Sequence, residues 1–281
     1  MILEIIDTYI EIISLLERMD GEFDIALWKK YITNISVELY EKIWADSSKY
    51  DFHQDILPVL NQVMREREKL EIVHNSFLHH VNIDLNNKVR QITGSNLQVR
   101  IIFYMGLCNG AGWATTLDEE PAILLGVEKM IELDWCDAET IASLIYHELG
   151  HIWHTSVGKI NQKTTSTRGK YILQLYQEGI AGYFEQLLSN DFTKYHQNKG
   201  NWLSWCYENK RDLNIEYLRR LQENESAQDF FGDWCTYQGF SNVGYFIGCE
   251  FIKHLASKHS LNELANLDIC TIYDEFIKYS A

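Results

Sequence analysis

The stretch Thr140–Ser156, TIASLIYHELGHIWHTS, sets two histidines four residues apart, His147 and His151, with Glu148 directly after the first. Residues four apart on an α-helix project from the same face. The neighbouring sequence supplies that helix, because Ile141, Leu144, Ile145, Leu149 and Ile152 recur at helical spacing. Asp137 is placed to cap its start. Glu139 falls in the first turn, where a negative charge meets the positive end of the helix dipole. On such a helix both imidazoles can reach one zinc ion at about 2.0–2.1 Å. Glu148 lies beside the pair, where its carboxylate can take a proton from water as a general base. The same three residues also fit an ordinary polar helix face, so the rest of the chain has to decide.

A catalytic zinc takes a third protein ligand and keeps one position open. The best candidate is Glu178, in YQEGIAGYF, 27 positions beyond His151 on the next expected helix. Gly179, Ala181 and Gly182 would let that helix approach the first closely. Taken singly, Glu178 reads as a solvent-facing helix glutamate; given the histidine pair, it reads as a ligand. His154 shares the helical face of the pair, but it lies about 10 Å from His147 along the axis. It reads as a neighbour or a satisfied core histidine, and His79–His80 as structural.

Ahead of the histidine helix, ITGSN (residues 92–96) is turn-like and LQVRIIFYMGL (97–107) is strand-like. The glycine-rich CNGAGWATT (108–116) and a further strand, PAILLGV (121–127), follow. Upstream, helical periodicity predicts one amphipathic N-terminal helix, a second over residues 23–44, and one or two more over 55–91. Asp55 is the expected N-cap, with Pro58 in the first turn. NQKTTSTRGK (161–170) reads as a mobile loop and residues 171–188 as a helix. The chain beyond Asn201 is mostly helical. The fold class is α+β with helix predominating, in three parts: an N-terminal helical region (1–94), a core of sheet, histidine helix and Glu178 helix (95–195), and a C-terminal helical region (196–281).

The chain has 281 residues, is 46% hydrophobic with two prolines, and carries a formal net charge of −15. That charge repels phosphate backbones and argues against nucleic acid as a partner. The apolar N-terminus is broken by Glu4, Asp7, Glu11 and Glu17, so it reads neither as a signal peptide nor as a membrane span. The six cysteines form no C-x-x-C pair. A cytoplasmic protein with free thiols and no membrane partner is expected.

HELGH (147–151), the EGIA of residues 178–181 and the preceding strand region resemble the gluzincin branch of the zincin metallopeptidases. With GYFIG (244–248) and the following CEFIKHLASKHSLNELANL (249–267), they are similar to a bacterial family of predicted zinc-dependent proteases. The resemblance spans residues 99–267. It implies a zincin-like core binding Zn2+ through His147, His151 and Glu178, with Glu148 as base and a peptide or protein as substrate. Some gluzincins place an acid one turn after the glutamate ligand to orient the first histidine. Here that position is Gly182, which leaves Glu185 as one candidate or an ordinary surface residue.

In this reading the reaction is metal-assisted amide hydrolysis, and its oxyanion needs a donor besides zinc. Tyr245, between Gly244 and Gly248, is the candidate; its other reading is a core tyrosine on an apolar helix. An extended substrate would pair with the strand carrying Gly112 and Trp113, which also reads as a hairpin turn with a packing tryptophan. The same motif serves amidases acting on small substrates, and a non-catalytic binding protein on this scaffold would have no use for Glu148.

Overall fold

The computed structural model describes residues 2–80, 83–158 and 164–281. Its fold is α+β and predominantly helical. The chain forms two compact units, residues 1–148 and 149–281, and the division falls inside one helix.

The first unit holds β1 (Ile2–Asp7), α1 (Tyr9–Met19), α2 (Ile25–Ile35), α3 (Val37–Ser47), α4 (Leu57–Arg65), α5 (Arg67–His80) and α6 (Ile83–Thr93). Then come β2 (Gln98–Tyr104), β3 (Gly112–Leu117), β4 (Glu120–Gly126), α7 (Val127–Glu132) and most of α8 (Ala138–Val157). The sheet order is β1-β2-β4-β3. β1, β2 and β4 are parallel, and β3 runs antiparallel to β4 at the edge. Residues 101–104 and 122–125 are fully buried, as expected of strands covered on both faces.

β1 corrects the expected N-terminal helix. ILEIID pairs residue for residue with β2, Ile2 opposite Gln98 and Asp7 opposite Phe103. Pairing with a distant strand overrides the local helical period of these isoleucines. Thr8 then ends the strand: its backbone N–H and its hydroxyl both donate to the Phe103 carbonyl, at 3.3 and 2.7 Å. The helix starts only at Tyr9.

Two further corrections concern turns. Asp55 is not the cap it was expected to be. Asp51 caps a five-residue π-turn (Phe52–Ile56) and Asp55 accepts the Asp51 N–H. The hairpin turn lies at Asp118–Glu119, whose φ angles are 51° and 67°, and not within CNGAGWATT. Two central residues with positive φ give the turn whose twist matches a two-residue hairpin loop. Asp137 does cap α8, accepting from the Thr140 N–H at 2.9 Å and the Thr140 hydroxyl at 2.7 Å.

The second unit holds the end of α8, then α9 (Thr167–Ser189), α10 (Trp202–Glu208), α11 (Lys210–Glu223), α12 (Val243–Ala256), α13 (Leu261–Leu264) and α14 (Ile269–Ser280). α9 begins four residues earlier than the sequence suggests, with the Ser166 hydroxyl capping the Gly169 N–H. Residues 161–163 of the expected mobile loop lie outside the described residues. α9 and α12 touch at glycines: a Cβ on Gly179 would sit 2.4 Å from the Gly248 carbonyl oxygen, and one on Gly248 2.4 Å from that of Leu175. No helix among the described residues is long and apolar enough to cross a membrane.

Candidate metal centre on α8 and α9

α8 is unbroken from Ala138 to Val157, so His147 and His151 stand one turn apart on a single helix. α9 runs antiparallel beside it, as the order of contacts shows. The His154 ring meets Tyr176 with centroids 5.9 Å apart, and His151 Nε2 lies 3.2 Å from Glu178 Oε2. Next, a Cβ on Gly150 would fall 2.8 Å from Ala181 Cα and 2.9 Å from Phe184 Cβ. Stepping forward along α9 is stepping backward along α8. The sequence reading assigned the close approach to Gly179, Ala181 and Gly182 together. Instead Ala181 meets Gly150, while Gly179 and Gly182 face Gly248 and Cys249 of α12.

His147, His151 and Glu178 each offer a ligand atom within 4.8 Å of the other two. A tetrahedral ion with bonds of about 2.0–2.1 Å needs donors about 3.3 Å apart. The 3.2 Å between His151 and Glu178 meets that spacing directly. Two imidazoles and one carboxylate are also the donor chemistry that zinc favours. His151 and Glu178 remain partly exposed, at 22% and 18% for their side chains, while His147 is buried.

Glu148 is buried and held from the first unit's sheet: its Oε2 accepts the Ala114 N–H of β3 at 2.8 Å. Gly112 makes room for it, since a Cβ there would stand 2.6 Å from Glu148 Oε1 and 2.7 Å from Leu144 Cδ1. Trp113, opposite Leu124 in the β3–β4 pairing, is half-buried.

A second group of potential ligands shares His147. Glu185 and His196, with His147, again bring donor atoms within 4.8 Å of one another, and all three residues are buried. Glu185 is 1% exposed, which corrects its reading as an ordinary surface residue. Its Oε1 accepts the His196 backbone N–H at 2.8 Å, and its Oε2 lies 2.9 Å from His196 Nδ1. His196 was missed by sequence reasoning, because it sits in a loop after α9 with no motif around it. Glu185 carried a usable signal: it follows Glu178 by seven residues, two helical turns, and so faces the same side.

Tyr245, on α12, is half-buried and sets its ring edge-on to His196, with centroids 6.3 Å apart, and to Phe231 at 5.7 Å. His154 is buried. Burial, with His151 nearby, pushes its pKa down to about 3. It belongs to neither metal group among the described residues. His79 is exposed on α5, and the side chain of His80 lies outside those described.

Comparison of the chain with family models, curated proteins and solved structures gives no match.

Proposed function

We propose that this protein is a zinc-dependent hydrolase, and specifically a metallopeptidase, with His147, His151 and Glu178 as ligands and Glu148 as general base. The observation that carries the reading is the convergence of three donor atoms within 4.8 Å on adjoining helices, beside a buried glutamate that immediately follows the first histidine. A structural metal would have no use for that glutamate.

When bound, zinc supplies Lewis-acid polarisation of the scissile carbonyl and makes water acidic enough to deliver a nucleophile near neutral pH. Glu148 then takes the proton of the attacking water on a carboxylate oxygen and returns it to the leaving amine. The Ala114 N–H fixes the carboxylate's orientation, and Gly112 gives it space. Tyr245 is the proposed hydroxyl donor to the oxyanion, carried on α12 next to His196. A peptide substrate is favoured by the edge position of β3, where an extended chain can add main-chain hydrogen bonds beside Gly112 and Trp113.

Metal analysis combined with hydrolysis of a peptide library by wild type and Glu148→Gln tests the reading. One zinc per chain in both proteins is expected, with turnover lower in the variant by ~10²–10⁴-fold. Zinc without Glu148-dependent hydrolysis would mark a binding protein instead, and no zinc uptake would end the proposal.

A further inference from the structure

We propose that Glu185, clamped by His196, is the positioning residue that orients His147 for metal binding, in place of the acid missing at Gly182. The inference rests on the metal reading of His147, His151 and Glu178 given above.

A carboxylate as buried as Glu185 is costly unless donors meet it. Both of its oxygens are met by one residue: the His196 backbone N–H reaches Oε1 at 2.8 Å and the His196 ring reaches Oε2 at 2.9 Å. That ring is itself set, because Gln197 Nε2 stands 2.8 Å from His196 Nε2. An amide N–H donated to Nε2 leaves the imidazole proton on Nδ1, so Nδ1–H donates to Glu185. The carboxylate is therefore held in one orientation by His196. His147, the residue common to both metal groups, brings a ring nitrogen within 4.8 Å of a Glu185 oxygen.

An imidazole has two nitrogens on opposite edges of its ring. A ring that gives one nitrogen to an ion and the other to a carboxylate has its tautomer and tilt fixed, and its basicity towards the metal raised. The antiparallel run of α9 along α8 places Glu178 to serve the ion and Glu185, two turns on, to serve His147. A second ion in place of this arrangement is disfavoured. With its Nδ1 proton given to Glu185 and its Nε2 lone pair taken by the Gln197 amide, His196 has no nitrogen left to coordinate a cation.

The test uses zinc alone as the probe, in competition titrations of the full chain, with cobalt(II) absorption as a second readout of coordination geometry. Glu185→Gln should bind zinc ~10–100-fold more weakly and alter the cobalt spectrum, while the metal-free fold keeps its thermal unfolding midpoint within a few degrees. His196→Asn, whose amide can donate from the place of Nδ1, should bind close to wild type; His196→Leu should resemble Glu185→Gln. Should Glu185→Gln fail to fold, the two His196 variants carry the test. Wild-type zinc affinity in both Glu185→Gln and His196→Leu would overturn the inference. So would two zinc ions per wild-type chain with one lost in Glu185→Gln, which would make this a second metal site. Hydrolysis is read separately: Glu185-dependent zinc binding without hydrolysis removes the peptidase reading and leaves the positioning role. The reverse result removes only the positioning role.

Discussion

Glu128 on α7 and Glu185 on α9 are buried alike, at 0% and 1% exposure, yet the surroundings of the two carboxylates differ in kind. Glu128 accepts backbone N–H groups, among them those of Gly106 at 2.8 Å and Cys108 at 3.1 Å. These ties hold the chain leaving β2 against α7 and end there. Burial outweighs them and pushes the Glu128 carboxyl up to about 7. Glu185 is met by a backbone N–H and an imidazole, with a second imidazole in its group. An imidazole has another nitrogen to offer, so a constraint on Glu185 passes to a further partner. A buried acid among backbone amides is a fastener, and one among histidines is part of a chain of orientation.

The sharpest way to break this comparison is zinc affinity. Glu185→Gln should weaken it by ~10–100-fold and Glu128→Gln should leave it unchanged; equal losses in competition titrations would erase the distinction. Next is folding stability. Replacing either acid with leucine strands two N–H donors, buried or half-buried, at about 1–3 kcal/mol for each group left unsatisfied. Both variants should therefore lose several kcal/mol in urea unfolding, a resemblance in stability that contrasts with the difference in metal binding. Gly179→Ala should cost about 1–3 kcal/mol, because its new methyl meets the Gly248 carbonyl rather than a side chain that can turn away.

The smallest effect is a pH dependence. The folded Glu128 carboxyl keeps its proton to about pH 7, whereas the unfolded chain releases it near 4.5. Between those values the folded state binds more protons, so this contribution to stability falls as pH rises. His154 acts in the opposite sense, since its folded pKa of about 3 makes stability fall as pH drops below about 6.5. The two overlap from about pH 4.5 to 6.5. The informative quantity is the stability of metal-free wild type minus that of Glu128→Gln, which should decline from pH 4.5 to 7. A flat difference would show that Glu128 ionises normally.

The same contrast governs what could be read from sequence. The histidine helix, its Asp137 cap and the two central strands rest on short-range pattern, and each was legible. β1 was not, because only β2, some ninety residues away, makes a strand of an isoleucine-rich segment whose own period is helical. At the candidate site, residues on α8 and α9 were legible as far as helical spacing carries. His147, His151 and Glu148 stand out by motif, and Glu178 by its place on the next helix. Glu185 was seen but judged superficial, since one sequence does not say which side of a long helix is covered. His196 was invisible, because a loop histidine acquires its meaning only when the chain folds back onto α9. The glycines of residues 178–182 and 244–248 signalled close packing correctly but not the partner, which for Gly179 is α12 rather than α8.

The bond from the Ala114 N–H to Glu148 has a consequence beyond chemistry. β3 is the outer strand of the sheet, and an outer strand with open amides can recruit strands from other molecules. Glu148 occupies one of those amides with an acidic side chain, so the proposed base also closes that one position to an incoming strand. An alanine there would reopen that amide and remove the proposed base at once, and precipitation could then be mistaken for loss of function. Glutamine still offers an oxygen to the Ala114 amide, which makes it the cleaner substitution for separating solubility from catalysis.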